Sequence, residues 1–224
     1  MIMNGKDNLE HKVFRKLART TDEFEGYAHP HAERVATLAD ELGRVFGLAT
    51  KDRQSLHAAA LLHDLGEATM ARDYIKRAGT LSAEEQLDMS RHPIIGEQEA
   101  AKCGGDRATQ LIVRWHHEWW NGTGYPDALR GEEIPLAARI LRVADSYASI
   151  TDARPFRPAL TREKARQSMA AWAGIEFDPR VVRAFLALAD LPALDSFGLK
   201  FGEMSVSQET PPESNHSLFA SFSR

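Results

Sequence analysis

The chain contains 224 residues, of which 43% are hydrophobic and 27% charged, and its formal net charge is −4. This composition is typical of a globular domain, and the mild acidity argues against a nucleic-acid polymer or an acidic membrane as partner, since both need a basic surface. The single cysteine, Cys103, excludes an internal disulfide, and the lack of a signal core or of an apolar stretch of membrane-spanning length predicts a cytoplasmic protein.

Apolar residues recur at helical spacing through most of the chain, and no segment shows the alternation of a β-strand. The pattern predicts an all-α fold, a compact bundle of about seven or more helices. After a leading helix, the next predicted helix has Pro30 in its first turn and closes at Gly47. Six more helices are predicted. The first ends at His63, the second runs from Pro93 to Gly104, and the third starts after the cap Asp106. The fourth begins at Pro135, and the last two cover 161–173 and 178–190.

Composition divides the chain into three predicted parts. Residues 1–23 are expected to form a leading helix or extension, and residues 24–200 the main domain. Residues 201–224 are rich in serine and poor in aliphatic side chains. Because such a segment cannot bury enough apolar surface to order itself, we predict a flexible tail.

Two aspartates fall on predicted buried helix faces. Asp64 follows His63 at the end of an apolar helix, and Asp145 lies on the apolar stripe of a later helix. A buried carboxylate is unfavourable unless it is paired or binds a cation. A simple His63–Asp64 pair, and a bond from Asp145 to Arg139 or Arg142, are the alternatives to a shared cation.

Four further histidines stand at predicted helix ends, namely His31, His92, His116 and His117. Each alone is more often structural, but with His63 and the two aspartates they form a mixed imidazole and carboxylate set that suits Fe, Mn, Zn or Ni. Seven such groups exceed one coordination shell and would suit two divalent ions about 3.5–4 Å apart. The reaction expected of such a site is hydrolysis of a phosphate ester, and the sequence has no Gly-rich phosphate loop or serine-nucleophile motif.

The His63-Asp64 pair and the run HHEWWNGTGYPDALRGEEIPLAARILRVAD at 116–145 resemble the HD-GYP family of the HD phosphohydrolase superfamily. The likeness extends over about residues 24–190, within the predicted main domain. Its other motifs are HAERV at 31–35, AALLHDLG at 59–66, HPIIG at 92–96, RPFRPAL at 154–160 and FDPRVVRAFLAL at 177–188. The resemblance implies an HD-type helical bundle and hydrolysis of cyclic di-GMP, which is typical of the family.

The resemblance also implies a role for each matching residue. His63 and Asp64 would be the catalytic pair. One metal ion would be held by His31, His63, Asp64 and Asp145, and a second, bridged by Asp64, by His92, His116 and His117. The substrate contacts would come from Arg154, whose planar guanidinium suits a phosphate, and from the loop Gly124, Tyr125 and Pro126. In the family this loop is linked to substrate access and to signalling protein partners. Fe or Mn would be the foremost ions, with Zn, Ni or Mg as alternatives.

Three positions depart from the family pattern. Glu67 stands where a lysine usually follows the pair, so a cation near the metals is replaced by an anion that would repel a substrate phosphate. Ala148 stands where a second aspartate usually occurs. Tyr27 stands where members with a third metal carry glutamate, so two ions are expected rather than three. His29 is an extra imidazole nearby.

Three functions are therefore open. The first is a phosphodiesterase in which a metal-bridging hydroxide attacks cyclic di-GMP or a related cyclic dinucleotide, giving the linear dinucleotide, with further cleavage to GMP left open. The second is a catalytically weak signalling module that binds metal, nucleotide or a partner, as Glu67 and Ala148 suggest. The third is a phosphohydrolase that acts on another nucleotide.

Overall fold

Helices account for the regular structure of the computed structural model, which describes residues 5–153 and 158–188, with side chains from residue 11 onward. The α-helices in these ranges are α1 Gly5–Glu25, α2 His31–Val45, α3 Thr50–Leu62, α4 Leu65–Met70, α5 Ala83–Met89, α6 His92–Lys102, α7 Arg107–Trp115, α8 Leu136–Ile150, α9 Arg162–Ala171 and α10 Pro179–Ala187. Two short 3-10 helices cover Asp73–Ile75 and Gly131–Glu133. The predicted all-α fold is confirmed. Across the same ranges, no helix combines the length and apolar character that crossing a bilayer requires.

The segment between α3 and α6 differs from the prediction, which had no helix there. It contains the six-residue α4 and the seven-residue α5, both too short to show a clear apolar period. One local signal could have revealed α5. Ser82 accepts a hydrogen bond from the Glu85 backbone N–H while the Glu85 carboxylate accepts one from the Ser82 N–H, which is a capping box. Pro30 also differs, since it precedes the first residue of α2 instead of lying in the first turn.

The core is built around α8, which packs against α2 and α3. Every residue from 138 to 150 is buried, although this stretch includes charged side chains. Leu42 of α2, Leu56 of α3 and Phe185 of α10 belong to the same apolar cluster as Leu141 of α8. A central helix that buries ionisable groups in this way requires partners for them within the core.

Helix ends converge beside α8. His31 is the first residue of α2, and His63 and Asp64 connect α3 to α4. His92 is the first residue of α6, and 116–117 follow α7 directly. Helix ends leave side chains free to turn into a common space, so this arrangement brings polar groups from four connections to one flank of α8.

Candidate metal centre

The structure brings together all seven residues predicted as metal ligands, and all seven are buried. They form two groups in which potential ligand atoms lie within 4.8 Å of one another. The first group is His31, His63 and Asp145, and the second is Asp64, His92, His116 and His117. The groups adjoin, because His63 Nε2 lies 2.8 Å from Asp64 Oδ2. Asp64 therefore belongs to the second group and also contacts the first, as a bridging carboxylate would.

In the first group, two imidazoles face one carboxylate. His31 Nε2 lies 3.3 Å and His63 Nε2 lies 3.7 Å from Asp145 Oδ1. Among the described residues, His31 Nδ1 has no hydrogen-bond partner, and the Nε2 atoms of His31 and His63 face only carboxylate oxygens. Imidazole nitrogens that converge on a buried carboxylate in this way can share a bound cation with it. Tyr27 stacks on the His31 ring with a centroid distance of 4.0 Å and an interplanar angle of 1°.

In the second group, two ring nitrogens face each other. His92 Nε2 and His116 Nε2 are 3.3 Å apart and lie 3.7 and 3.6 Å from Asp64 Oδ1. Each Nδ1 lies within hydrogen-bond distance of a backbone carbonyl oxygen, that of Met89 at 2.8 Å and that of Val113 at 2.6 Å. Because a carbonyl only accepts, each Nδ1 carries the proton, and the two Nε2 lone pairs point at each other.

Those two lone pairs need an additional proton or a cation between them. His63 makes the same kind of backbone hydrogen bond, because its Nδ1 donates to the carbonyl oxygen of Ala60 at 2.9 Å. Backbone bonds of this kind orient a metal-binding imidazole and select its tautomer. The donor set of imidazoles and carboxylates, together with the facing Nε2 atoms of His92 and His116, fits divalent transition-metal ions.

The electrostatics of the centre keep its carboxylates charged. Burial alone would raise the pKa of Asp64 and Asp145, but the neighbouring histidines outweigh it and hold both pKa values well below the usual range. Burial likewise lowers the pKa of His63, but the charge of Asp64 reverses the effect and places it well above its usual value. Burial and the nearby His116 lower the pKa of His92 to about 3, so its lone pair is available.

The two arginines considered as partners of Asp145 behave differently. Arg142 Nη1 lies 3.4 Å from Asp145 Oδ2, so it contacts the carboxylate together with the two histidines. Arg139 pairs with Asp178 at 2.5 Å instead. An arginine therefore shares Asp145 with the imidazoles, and the two interpretations made from the sequence do not exclude each other.

The GYP loop, residues 124–126, packs directly on the second group. The Tyr125 ring stacks on His117 with a centroid distance of 4.8 Å and an interplanar angle of 15°. A Cβ atom at Gly124 would lie 2.2 Å from the backbone nitrogen of Trp119, so no side chain fits there. Glu118, which the sequence analysis missed, accepts a hydrogen bond from the backbone N–H of Asp127 at 2.7 Å. Its carboxylate fixes the far end of the loop.

The family model for the HD domain matches residues 12–181. The chain belongs to the HD-domain family. It is 36% identical to the cyclic di-GMP phosphodiesterase response regulator RpfG of Xanthomonas campestris pv. campestris, over 82% of this chain and 49% of that protein. It is 30% identical to 3'3'-cGAMP-specific phosphodiesterase 2 of Vibrio cholerae, over 70% of this chain and 30% of that protein.

Solved structures give the same fold. A cyclic GMP-AMP specific phosphodiesterase of Vibrio cholerae, V-cGAP3, superimposes with a TM-score of 0.65 at 20% identity, covering 82% of this chain and 50% of that chain. An HDG"Y"P protein of Bdellovibrio bacteriovorus gives a TM-score of 0.57 at 24% identity, covering 70% of this chain and 50% of that one. The HD-GYP resemblance is confirmed, and the chain spans about half the length of RpfG and of these two solved chains.

The positions at which this HD domain departs from the family pattern lie at or near the centre. Glu67 is buried, and its Oε1 lies 4.0 Å from His92 Nδ1. Ala148 is buried on α8, one turn after Asp145. His29 belongs to neither group, because its Nδ1 lies 2.8 Å from Oδ1 of the buried Asp152. Arg154 and the predicted tail at 201–224 lie outside the described residues.

Proposed function

We propose that this HD domain is a metal-dependent phosphodiesterase that hydrolyses a cyclic dinucleotide such as cyclic di-GMP or 3'3'-cGAMP. The observation that carries the proposal is the pair of adjoining buried groups, joined by the 2.8 Å contact between His63 and Asp64. The names of the relatives support the substrate class, since they include cyclic di-GMP and 3'3'-cGAMP phosphodiesterases.

The proposed ligand sets follow the two groups. One ion would be held by His31, His63, Asp64 and Asp145, and the other by Asp64, His92, His116 and His117. Two bound divalent ions, with Fe or Mn foremost, would supply a hydroxide nucleophile by lowering the pKa of water and would offset charge on the phosphodiester. Cleavage of one phosphodiester bond would give the linear dinucleotide, and cleavage of the second would give two mononucleotides, which are both GMP in the case of cyclic di-GMP.

The chain itself orients and shields the reacting groups. Backbone carbonyl oxygens hold the rings of His63, His92 and His116 through their Nδ1 atoms. Tyr27 covers the His31 ring and Tyr125 covers the His117 ring, so an aromatic side chain shields each group. Exclusion of water strengthens electrostatic interactions with a bound phosphate. In this proposal the GYP loop and Arg154 contact the substrate, and the loop is also the surface for a signalling partner.

A second candidate, a signalling module with little turnover, is favoured by the buried carboxylate of Glu67 beside His92. A cyclic dinucleotide carries two negative phosphates, and an anion at this position repels them. The same ligands would then bind metal or nucleotide without efficient cleavage. The two candidates differ in product formation.

The test measures metal content and hydrolysis on one protein preparation. Protein purified anaerobically with Mn²⁺ or Fe²⁺ is expected to hold two ions per chain and to convert cyclic di-GMP or 3'3'-cGAMP to the linear dinucleotide. Asp64→Asn should lose product formation and bound metal. Asp88→Asn is the matched control, because Asp88 pairs with Arg72 and Tyr74 at the surface. Binding of cyclic di-GMP without product would favour the signalling module, and hydrolysis of mononucleotides alone would overturn the substrate class.

A further inference from the structure

A buried arginine contacts both groups of the candidate metal centre. Arg142 Nη1 lies 3.0 Å from His117 Nδ1 and 3.4 Å from Asp145 Oδ2. Arg142 Nη2 donates to Glu176 Oε1 at 2.6 Å, and the arginine is 2% exposed. The guanidinium is thus fixed between one residue of the first group and one of the second.

The contact with His117 determines where the proton of that ring lies. A guanidinium only donates hydrogen bonds, so His117 Nδ1 must accept with its lone pair. The neutral ring then carries its proton on Nε2. His92 and His116 have the opposite tautomer, because their Nδ1 atoms donate to carbonyl oxygens. His117 is therefore the member of the second group whose only lone pair is already engaged.

A neutral imidazole cannot give one lone pair to both a guanidinium and a cation. If the ion binds Nδ1, it competes directly with Arg142 for the same atom. If the ion binds Nε2, the proton must move to Nδ1, where it faces an Arg142 N–H. In addition, the guanidinium places a positive charge next to a residue that would coordinate another cation.

We propose that Arg142 engages the Nδ1 lone pair of His117 and thereby weakens the second ion site. Binding of that ion requires Arg142 to leave His117 Nδ1, while Glu176 and Asp145 remain within reach to receive its N–H groups. Because Asp145 belongs to the first group, loading of one site alters a ligand of the other. This inference rests on the proposed metal centre and adds a positioning residue to it.

The tautomers can be read directly in the metal-free protein. Long-range proton–nitrogen NMR spectra of the histidine rings should show His117 with its proton on Nε2, and His92 and His116 with theirs on Nδ1. A His117 ring protonated on Nδ1 in the wild type would overturn the inference.

Metal affinity gives the second test, with Mn²⁺ titrated calorimetrically into three proteins. Glu176→Gln is the control, since glutamine still accepts from Arg142. The double variant Arg142→Met with Glu176→Gln removes one positive and one negative charge, so the net charge of the wild type is kept. The double variant should bind its weaker Mn²⁺ at least tenfold more tightly than the wild type, which has the same net charge, and than Glu176→Gln, and inductively coupled plasma analysis should show fuller occupancy. Equal or weaker binding by the double variant would contradict the role of Arg142, whereas no Mn²⁺ binding by any of the three, the wild type included, would overturn the metal centre itself.

Discussion

Single side chains beside the two groups set the local charge and shape. Tyr27 and Tyr125 stack on one histidine of each group, and neither provides a nitrogen or carboxylate ligand. Glu67 places a third carboxylate near the centre, at 4.0 Å from His92. The balance between attraction of cations and repulsion of phosphates therefore depends on individual residues that are not themselves candidate ligands.

Removal of the Glu67 charge should improve substrate binding. Glu67→Gln keeps the shape of the side chain and removes a screened repulsion on the order of 1 kcal/mol, so KM for cyclic di-GMP should fall about fivefold. Glu67→Lys, which restores the cation typical of the family, should act in the same direction. Steady-state kinetics of the Mn²⁺-loaded protein measures the change. Glu84→Gln, an exposed position on α5, is the control, and an unchanged KM in Glu67→Gln would show that Glu67 does not affect the phosphates.

At the scale of elements, the position of His92 depends on a close approach of α4 and α6. A Cβ atom added at Gly66 would lie 2.0 Å from the carbonyl oxygen of His92 and 2.9 Å from the backbone nitrogen of Gly96. Only glycine allows this separation, so the glycine after the His-Asp pair has a packing reason that the sequence motif alone does not reveal.

Gly66→Ala should push α6 away and displace His92. We expect a loss of about 1–3 kcal/mol in the free energy of unfolding, as is usual for overpacking, together with weaker Mn²⁺ binding. Urea denaturation and calorimetry measure the two effects. Gly43→Ala is the matched control, because its nearest neighbour, Arg53, lies at an ordinary 3.4 Å. Equal stability of the two variants would show that the helices can separate without cost.

At the scale of the whole molecule, stability depends on pH because many titratable groups are buried. His57 on α3 is a partly buried one that lies outside the candidate centre, and its ring centroid is 5.1 Å from that of His11 on α1. Burial, followed by the neighbouring His11, lowers the pKa of His57 to about 4. The folded protein therefore keeps this ring neutral at pH values where the unfolded chain protonates it.

His57→Gln should make the stability less sensitive to acid. Between about pH 6.5 and pH 4 the unfolded wild type binds one proton more at this position than the folded state, so its stability falls as the pH falls. Relative to the variant, the free energy of unfolding of the wild type should fall by up to about 1.4 kcal/mol for each unit by which the pH is lowered in this window. Urea denaturation of the metal-free proteins at pH 6 and pH 5 measures the difference, which should be constant between pH 7.5 and 8.5. A difference that does not vary below pH 6.5 would contradict the prediction.

The sequence by itself determined the helical class, most helix ends and the seven residues that the structure brings together. These features are local or belong to long motifs, since apolar period, capping residues and ordered His and Asp positions can be read along the chain. The confirmed family resemblance added the expected division of these seven residues between two ion sites. The short helices α4 and α5 were missed because six or seven residues are too few to show the helical repeat of apolar side chains.

Only the tertiary structure decided which atoms of these residues meet. Arg142 reaches His117 across 25 positions, and His29 reaches Asp152 across 123. Such contacts depend on how α2, α7 and α8 pack, and the sequence carries no local signal for them. The tautomers of His92, His116 and His117 are fixed by the nearest donor or acceptor in space, so the chemistry of their ring nitrogens followed from packing and not from spacing along the chain.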